Sequence, residues 1–160
     1  MQIAFWGSNY HQIGVTYNLV AVSTMLALEY RMKVLMTHNH FDRSALELSF
    51  LSRDYVRNEI NQLSDIGIDG LSKFVKYNKI DHDSMSNYTT TLIRNKLELL
   101  IGTTITNKEV YYNGFKEVID LILTSAKSLY DMVFVDIGFG INELSKKILD
   151  MSDLIVVNIN

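Results

Sequence analysis

Short apolar segments alternate along this chain with longer segments whose apolar residues recur at helical spacing. Apolar runs predict strands at residues 2–6, 33–37, 96–102, 132–136 and 153–159. The run "MVFVD" is apolar up to its terminal Asp136, which favours a strand that is buried on both faces. Strands of this kind are typical of a parallel sheet that is covered on two sides.

Helices are predicted between the strands. Residues 14–32 form a helix that is apolar nearly all round, so we expect it to be covered on several sides. Ser44 and Glu47 fit a capping box, in which the two side chains satisfy helix-end donors. The remaining predicted helices cover residues 44–51, 55–63, 71–77, 114–130 and 141–152.

The alternation of strands and helices predicts a three-layer α/β/α fold with a mainly parallel sheet. The chain length of 160 residues suits a single domain over 1–160. The polar stretch 65–95 is expected to be an elaborated, irregular connection inside that domain.

Composition narrows the function classes. Hydrophobic residues make up 48% and charged residues 21%, which is typical of a globular chain. A net charge of −3 without a long basic run gives no indication of nucleic-acid binding. The absence of cysteine excludes disulfides and thiolate metal sites. No secretory or membrane-targeting segment is visible, and we expect a cytoplasmic protein.

The first candidate site is "GSNYHQIGVTYN", between the first strand and the long helix. Phosphate-binding loops present backbone N–H groups at a helix N-terminus, with a lysine for charge and a hydroxyl for Mg²⁺. Gly14 has the place of the glycine before the helix and Thr16 that of the hydroxyl. Val15 stands where the lysine belongs, and Tyr17 follows. A plain strand-to-helix turn is the alternative.

The second candidate site is the carboxyl end of the strand 132–136. Asp136 ends the apolar run, and Gly140 follows four places later. An aspartate in this position can hold Mg²⁺ directly or through water. The alternative is that Asp136 caps the following segment.

Together these segments resemble the MinD/ParA family of P-loop ATPases over nearly the whole chain. "NLVAVSTMLAL" is similar to the family's first helix, "YDMVFVDIGFG" to its Walker B strand and switch, and "SDLIVVNIN" to the next strand. These sequence segments look most like those of the family branch that is associated with Tad/Flp pilus assembly. The resemblance implies Mg-ATP or Mg-ADP as cofactor, with Gly14, Val15, Thr16, Tyr17, Asp136 and Gly140 at the nucleotide and Thr16 and Asp136 at the metal.

The chain departs from the family at its charged positions. The family loop K-G-G-x-G-K-T-T falls on residues 10–17, which places Tyr10 at the signature lysine and Val15 at the P-loop lysine. His11 and Gln12 replace two glycines, which restricts the approach of a phosphate. The aspartate that the family carries after its second strand is also missing, since Thr37, His38 and Asn39 stand there.

These departures indicate a non-catalytic protein. Each lost lysine removes a charge-assisted hydrogen bond of roughly 1.5–3 kcal/mol, so two losses weaken nucleotide binding by about 10²–10⁴. We expect a localisation or scaffold factor that binds nucleotide weakly or not at all, with a protein partner or a second copy of itself. The alternative is an active ATPase whose charges come from a C-terminal part or from a partner chain.

A rival reading starts from "THNHFD", in which His38, His40 and Asp42 are spaced as in metal-dependent hydrolases. The next histidine of that pattern is replaced by Arg43, and the only later histidine is His82. A polar loop that leaves a strand is the simpler interpretation.

The chain stops at or just after the apolar strand 153–159. With the family strand order 3-2-4-1-5 this strand would lie at an edge, where an unpaired backbone invites pairing. The expectation is a chain that is truncated at the C-terminus relative to the family. The alternative is an edge covered by dimerisation.

Overall fold

The computed structural model describes residues 1–7, 14–41, 45–54, 56, 66–138 and 140–159. The strands of its sheet are β1 (Gln2–Gly7), β2 (Val34–His38), β3 (Thr90–Ile93), β4 (Leu97–Leu99), β5 (Met132–Asp136) and β6 (Leu154–Asn158). The helices with defined bounds are α1 (Val15–Glu29), α2 (Ala45–Leu48), α3 (Gly67–Val75), α4 (His82–Ser86), α5 (Lys108–Leu129) and α6 (Glu143–Met151).

The sheet has the order β3-β4-β2-β5-β1-β6. Every neighbouring pair is parallel except β3 with β4. The predicted mainly parallel fold is therefore confirmed. The five parallel strands lie in the order β4-β2-β5-β1-β6. Counted along the chain without β3, this is the predicted order 3-2-4-1-5, and β6 lies at an edge of the described sheet.

Apolar side chains cover both faces of the central strands. Phe5 of β1 and Phe134 of β5 face α1, and their rings lie 5.6 Å apart. The neighbouring residues Ala4 and Val135 face the opposite core, to which α3, α5 and α6 contribute. Successive side chains of a strand point to opposite faces, so residues that are apolar without interruption build the three layers.

The segment 65–95 is more ordered than its polar sequence predicts. It contains α3, α4 and the strand β3, which pairs antiparallel with β4 and has a register irregularity between Thr91 and Ile93. The start of α4 is stabilised by a capping box between Asp81 and Ser84. The prediction of an irregular connection was wrong here. The polar composition predicted that water would satisfy the backbone groups of this segment, whereas those of β3 are satisfied by pairing with β4.

The helix α1 is less covered than predicted. Its inner face is fully buried at Leu19 and Ala27, but Tyr17, Met25 and Leu28 are exposed. The sheet covers only one side of the helix. The expectation of cover on several sides is not met among the described residues.

The remaining helices agree with the sequence in part. The helix predicted at 114–130 begins earlier, at Lys108, where the Asn107 side chain accepts hydrogen bonds from two backbone N–H groups. The helix predicted at 55–63 lies outside the described residues except for the buried Val56. No helix in the described ranges is long and apolar enough to cross a membrane.

Candidate functional site

The candidate site lies at the carboxyl ends of β1, β2 and β5, which are neighbours in the sheet. Ligands of parallel α/β sheets bind at this edge. Gly14 precedes α1 with φ 67° and ψ 21°, a left-handed conformation that favours glycine. The residues 8–13, including Tyr10, His11 and Gln12, lie outside the described residues.

Thr16 and Asp136 are brought together by the fold. The Thr16 hydroxyl donates a hydrogen bond of 2.6 Å to Oδ2 of Asp136, although 120 residues separate them in sequence. Asp136 is fully buried at the end of β5. A hydroxyl and a carboxylate are oxygen ligands of the kind that Mg²⁺ prefers, so this pair fits the predicted metal site in chemistry.

The N-terminus of α1 presents backbone donors, and its first turn contains no basic residue. No side chain caps this end through a hydrogen bond in the described structure, and its first turn contains no acidic residue. Val15 is the first residue of the helix and packs against the core on the α1 side, whereas Tyr17 is 71% exposed. The helix dipole favours an anion here, but the position of the lysine is apolar.

Gly140 lies in the segment after β5 and has φ 86°, which again favours glycine. No hydrogen bond found for the described residues joins Gly140 to Thr16 or Asp136. Its predicted part in the nucleotide site therefore stays a prediction.

His40 occupies the other side of the Asp136 carboxylate. Its Nε2 lies 3.3 Å from Oδ1 of Asp136. Neither of these two atoms has a hydrogen-bond partner in the part of the chain that the structure describes. The carboxylate is thus contacted by Thr16 on one oxygen and by an imidazole on the other.

His38 and Glu47 form a buried pair next to this site. Nε2 of His38 lies 2.6 Å from Oε1 of Glu47, and the two side chains are almost completely inaccessible. The same carboxylate oxygen accepts a 2.9 Å hydrogen bond from the Gly102 N–H. The Glu47 side chain is therefore turned towards the sheet. This does not fit the predicted capping box, whose Ser44 lies outside the described residues.

The pKa values of the two side chains depend on each other. Burial alone would raise the pKa of Glu47. The charge and the hydrogen bond of His38 outweigh this effect and lower the pKa from 4.5 to about 2. Burial lowers the pKa of His38, and the Glu47 carboxylate outweighs this and raises it above 6.5. Nδ1 of His38 lies 3.1 Å from the His40 N–H and accepts its hydrogen bond. With Nδ1 as acceptor, His38 is neutral in this geometry, and the proton that it shares with Glu47 is on Nε2.

Asn39 joins the ends of β2 and β5 to α6. Its Oδ1 accepts a 2.6 Å hydrogen bond from the Gly138 N–H, and its Nδ2 donates to the Ser145 hydroxyl over 3.0 Å. The backbone donor at Gly138 requires an acceptor, which fixes the orientation of the amide. Asn39 therefore holds the segment that follows Asp136.

The His38–His40 pair is a poor metal site. Both ring nitrogens of His38 are engaged, one by Glu47 and one by the His40 N–H. Asp42 lies outside the described residues. Among the residues described, no group of three or more His, Cys, Asp or Glu side chains could hold a metal ion. The hydrolase interpretation thus has no geometric support.

Sequence reasoning missed the parts played by Glu47, Asn39 and Gly102. Glu47 was interpreted from its distance to Ser44, and no local pattern indicates that its carboxylate reaches His38. At Gly102 an added Cβ would lie 2.3 Å from Cε1 of His38. A glycine directly after an apolar strand was the one signal of this close approach.

The fold is that of the ParA and MinD ATPases. A ParA family ATPase from Chlorobium tepidum TLS matches with a TM-score of 0.73 and 16% identity, over 98% of this chain and 59% of that one. A plasmid partition protein from Borrelia burgdorferi matches with a TM-score of 0.65 and 20% identity, over 98% and 64%. MinD in the MinC:MinD cell division complex of Aquifex aeolicus gives 0.58 and 16%, over 98% and 55%.

These identities establish the fold and not the activity. The chain spans less than two thirds of the length of each of these structures. Comparison with sequence profiles of known families finds no match, and comparison with curated proteins finds none either.

Proposed function

We propose that this protein is a degenerate MinD/ParA-like protein that binds Mg-nucleotide weakly or not at all. It acts as a localisation or scaffold factor, in the assembly of a pilus or secretion system, and not as an efficient ATPase. One observation carries the proposal. The Thr16–Asp136 pair is retained, while Val15 occupies the lysine position and His40 lies against the free side of the same carboxylate.

The charges disfavour a triphosphate. Phosphoryl transfer depends on positioning and on neutralising charge, and the first turn of α1 supplies backbone donors without a cation. Mg²⁺ requires near-octahedral geometry and retains several waters. A metal ion that binds Oδ1 of Asp136 would have to displace the His40 imidazole, which lies 3.3 Å from this oxygen. When bound, Mg²⁺ would be held by Thr16 and Asp136 and would screen the phosphate charge.

A scaffold role needs a surface for a partner, and α1 supports this part of the proposal. Tyr17, Met25 and Leu28 are exposed on a helix that has no charged residue before Glu29. Exposed apolar patches mark interaction sites more often than chance. The occupant would be a protein partner or a second copy of the chain.

Calorimetry with ATP and ADP in the presence of Mg²⁺ tests the proposal. We expect no heat of binding below millimolar nucleotide for the chain as it stands. Tight binding that Thr16→Ala and Asp136→Ala both abolish would contradict it and would favour an active ATPase. In that case slow hydrolysis should be sought, with and without a partner that supplies a lysine.

Restoring the lysines tests whether the loop before α1 retains the geometry of a phosphate-binding loop. Val15→Lys should strengthen ATP binding by roughly 10–100-fold if α1 still points its N–H groups at a phosphate, since one charged hydrogen bond contributes about 1.5–3 kcal/mol. Adding Tyr10→Lys should strengthen it further. The matched control is Ala21→Lys, which adds the same charge at an exposed position of α1 beyond its first turn. An equal gain in the control would show that only net charge matters.

A further inference from the structure

A cavity lies away from the candidate nucleotide site, between α3 and the first half of α5. Its volume is about 450 Å³, within the range of small-molecule sites. Its lining comes from α3 and its C-terminal extension, from residues 104–105 and from α5. The cavity is half open to solvent, and its size is sufficient for a compact organic molecule.

The floor of the cavity is apolar and is kept open by a glycine. Ile68 and Phe115 are buried beneath it. An added Cβ at Gly114 would meet no atom within 4 Å. Glycine is unfavourable in a helix interior, and neither crowding nor backbone conformation requires it at this position. Its visible consequence is the empty volume above α5.

The ring of Tyr111 extends the apolar lining of the cavity. Tyr111 is only 2% exposed, and its ring stacks on that of Phe115 with 5.5 Å between the centroids. The Tyr111 hydroxyl is shielded from solvent, so the contribution of this residue to the lining is apolar.

The charges at the rim favour an anion. Lys73 and Lys76 line the mouth, and Lys76 makes an exposed 3.3 Å contact with Glu117 that a ligand can replace. Asp69 is the acidic residue of the lining, but its carboxylate is already occupied. It accepts hydrogen bonds from the Thr103 hydroxyl and from the N–H and hydroxyl of Thr104.

We propose that this cavity binds a small organic anion with an aromatic or other compact apolar body. The body fills the space above Gly114 and packs against the rings of Tyr111 and Phe115, and the anionic group lies near Lys73 and Lys76. The site is independent of the proposed pseudo-ATPase function, because it shares no residue with Thr16, Asp136 or His40.

Fluorescence titration of the whole chain with 8-anilinonaphthalene-1-sulfonate tests the proposal. We expect saturable binding at one site that is at least about tenfold weaker for Gly114→Met, because the new side chain fills the cavity. Gly114→Met replaces glycine by a better helix former, so its melting temperature should not fall. The matched control is Asn113→Met, at the neighbouring exposed position of α5 that does not line the cavity, and it should leave the titration unchanged.

A second comparison isolates the anionic group. The uncharged analogue N-phenyl-1-naphthylamine should bind more weakly than the sulfonate, and Lys76→Gln should reduce that difference. Lys116→Gln, which removes another exposed lysine paired with a glutamate, should not. Binding without saturation, or equal binding by wild type and Gly114→Met, would overturn the proposal. So would an equal loss in Asn113→Met.

Discussion

Two neighbouring parts of the sheet edge differ in how they use charge. At the end of β1, the helix α1 begins with Gly14, Val15 and Thr16 and offers backbone donors without a cation. At the end of β2, His38 and Glu47 form a buried hydrogen-bonded pair, and the same Glu47 oxygen accepts from the Gly102 N–H. The ligand-facing position at α1 is thus apolar, while the interior beside it contains a paired carboxylate.

The difference indicates which function each region serves. Charges that bind phosphate must face the site, whereas the Glu47 carboxylate is satisfied by His38 and the Gly102 N–H and stabilises the junction of β2, α2 and β4. Asn39 extends this internal network to Gly138 and Ser145. The edge thus has the properties of a rigid frame more than those of a charged phosphate cradle. The following predictions test this contrast from the largest expected effect to the smallest.

Removing the buried carboxylate should cause the largest loss. Glu47→Ala leaves His38 and the Gly102 N–H buried without their acceptor, and we expect the free energy of unfolding to fall by roughly 3–5 kcal/mol. Urea denaturation measures this. The control is Glu117→Ala, which breaks the exposed contact with Lys76 and should cost less than about 1 kcal/mol. Equal losses would mean that burial of the pair is unimportant.

The same pair should make stability depend on pH in two windows. The pKa of Glu47 is lowered from 4.5 to about 2 in the folded protein, so its contribution is present above pH 4.5 and is lost as the pH falls towards 2. This loss is about 3 kcal/mol. The pKa of His38 is raised above 6.5, so its contribution is present below pH 6.5 and is lost as the pH rises through the folded value.

Urea denaturation of the wild type and of Glu47→Gln across this pH range checks the prediction. The difference in unfolding free energy between the two proteins should be greatest between about pH 4.5 and 6.5 and should shrink on both sides. A difference that does not change with pH would exclude ionisation of the pair.

Two glycine substitutions compare a crowded position with an open one. Gly102→Ala places a Cβ 2.3 Å from His38 Cε1 and 2.5 Å from its Nε2, and should destabilise the fold by about 1–3 kcal/mol. Gly114→Ala meets no atom within 4 Å and should stabilise α5 by about 0.5–1 kcal/mol. In thermal unfolding, Gly102→Ala should lower the melting temperature and Gly114→Ala should raise it. A higher melting temperature for Gly102→Ala would disprove the close approach to His38.

Removing the Asn39 amide should be the least destabilising of the site substitutions. Asn39→Ala leaves the Gly138 N–H without its acceptor, at a cost of about 1–2 kcal/mol. Hydrogen exchange should show faster opening in the segment that follows Asp136. Asn78→Ala removes an exposed amide that donates to the Phe74 carbonyl and serves as control. Unchanged exchange after Asn39→Ala would show that other contacts hold the segment.

Most of the fold could be predicted from the sequence because the periodicities are local. The uninterrupted apolar run before Asp136 indicated a buried parallel strand, and the spacing of Phe115, Val118 and Ile122 indicated a helix. Both are confirmed. The strand β3 could not be predicted in this way. Its residues Thr90–Ile93 are no more than half-buried, and only the pairing with β4 makes them a strand.

The candidate site also has features that the sequence determines and features that only the tertiary structure determines. The sequence alone determined that Val15 and Tyr10 carry no charge, and that Gly14, Thr16 and Asp136 are the residues present at the predicted positions. Only the tertiary structure decided that Thr16 binds one oxygen of Asp136 while His40 lies against the other, and that Glu47 turns to His38. The physical reason is distance along the chain: helix and strand patterns repeat within a few residues, whereas these contacts form only after the sheet brings separate strand ends together.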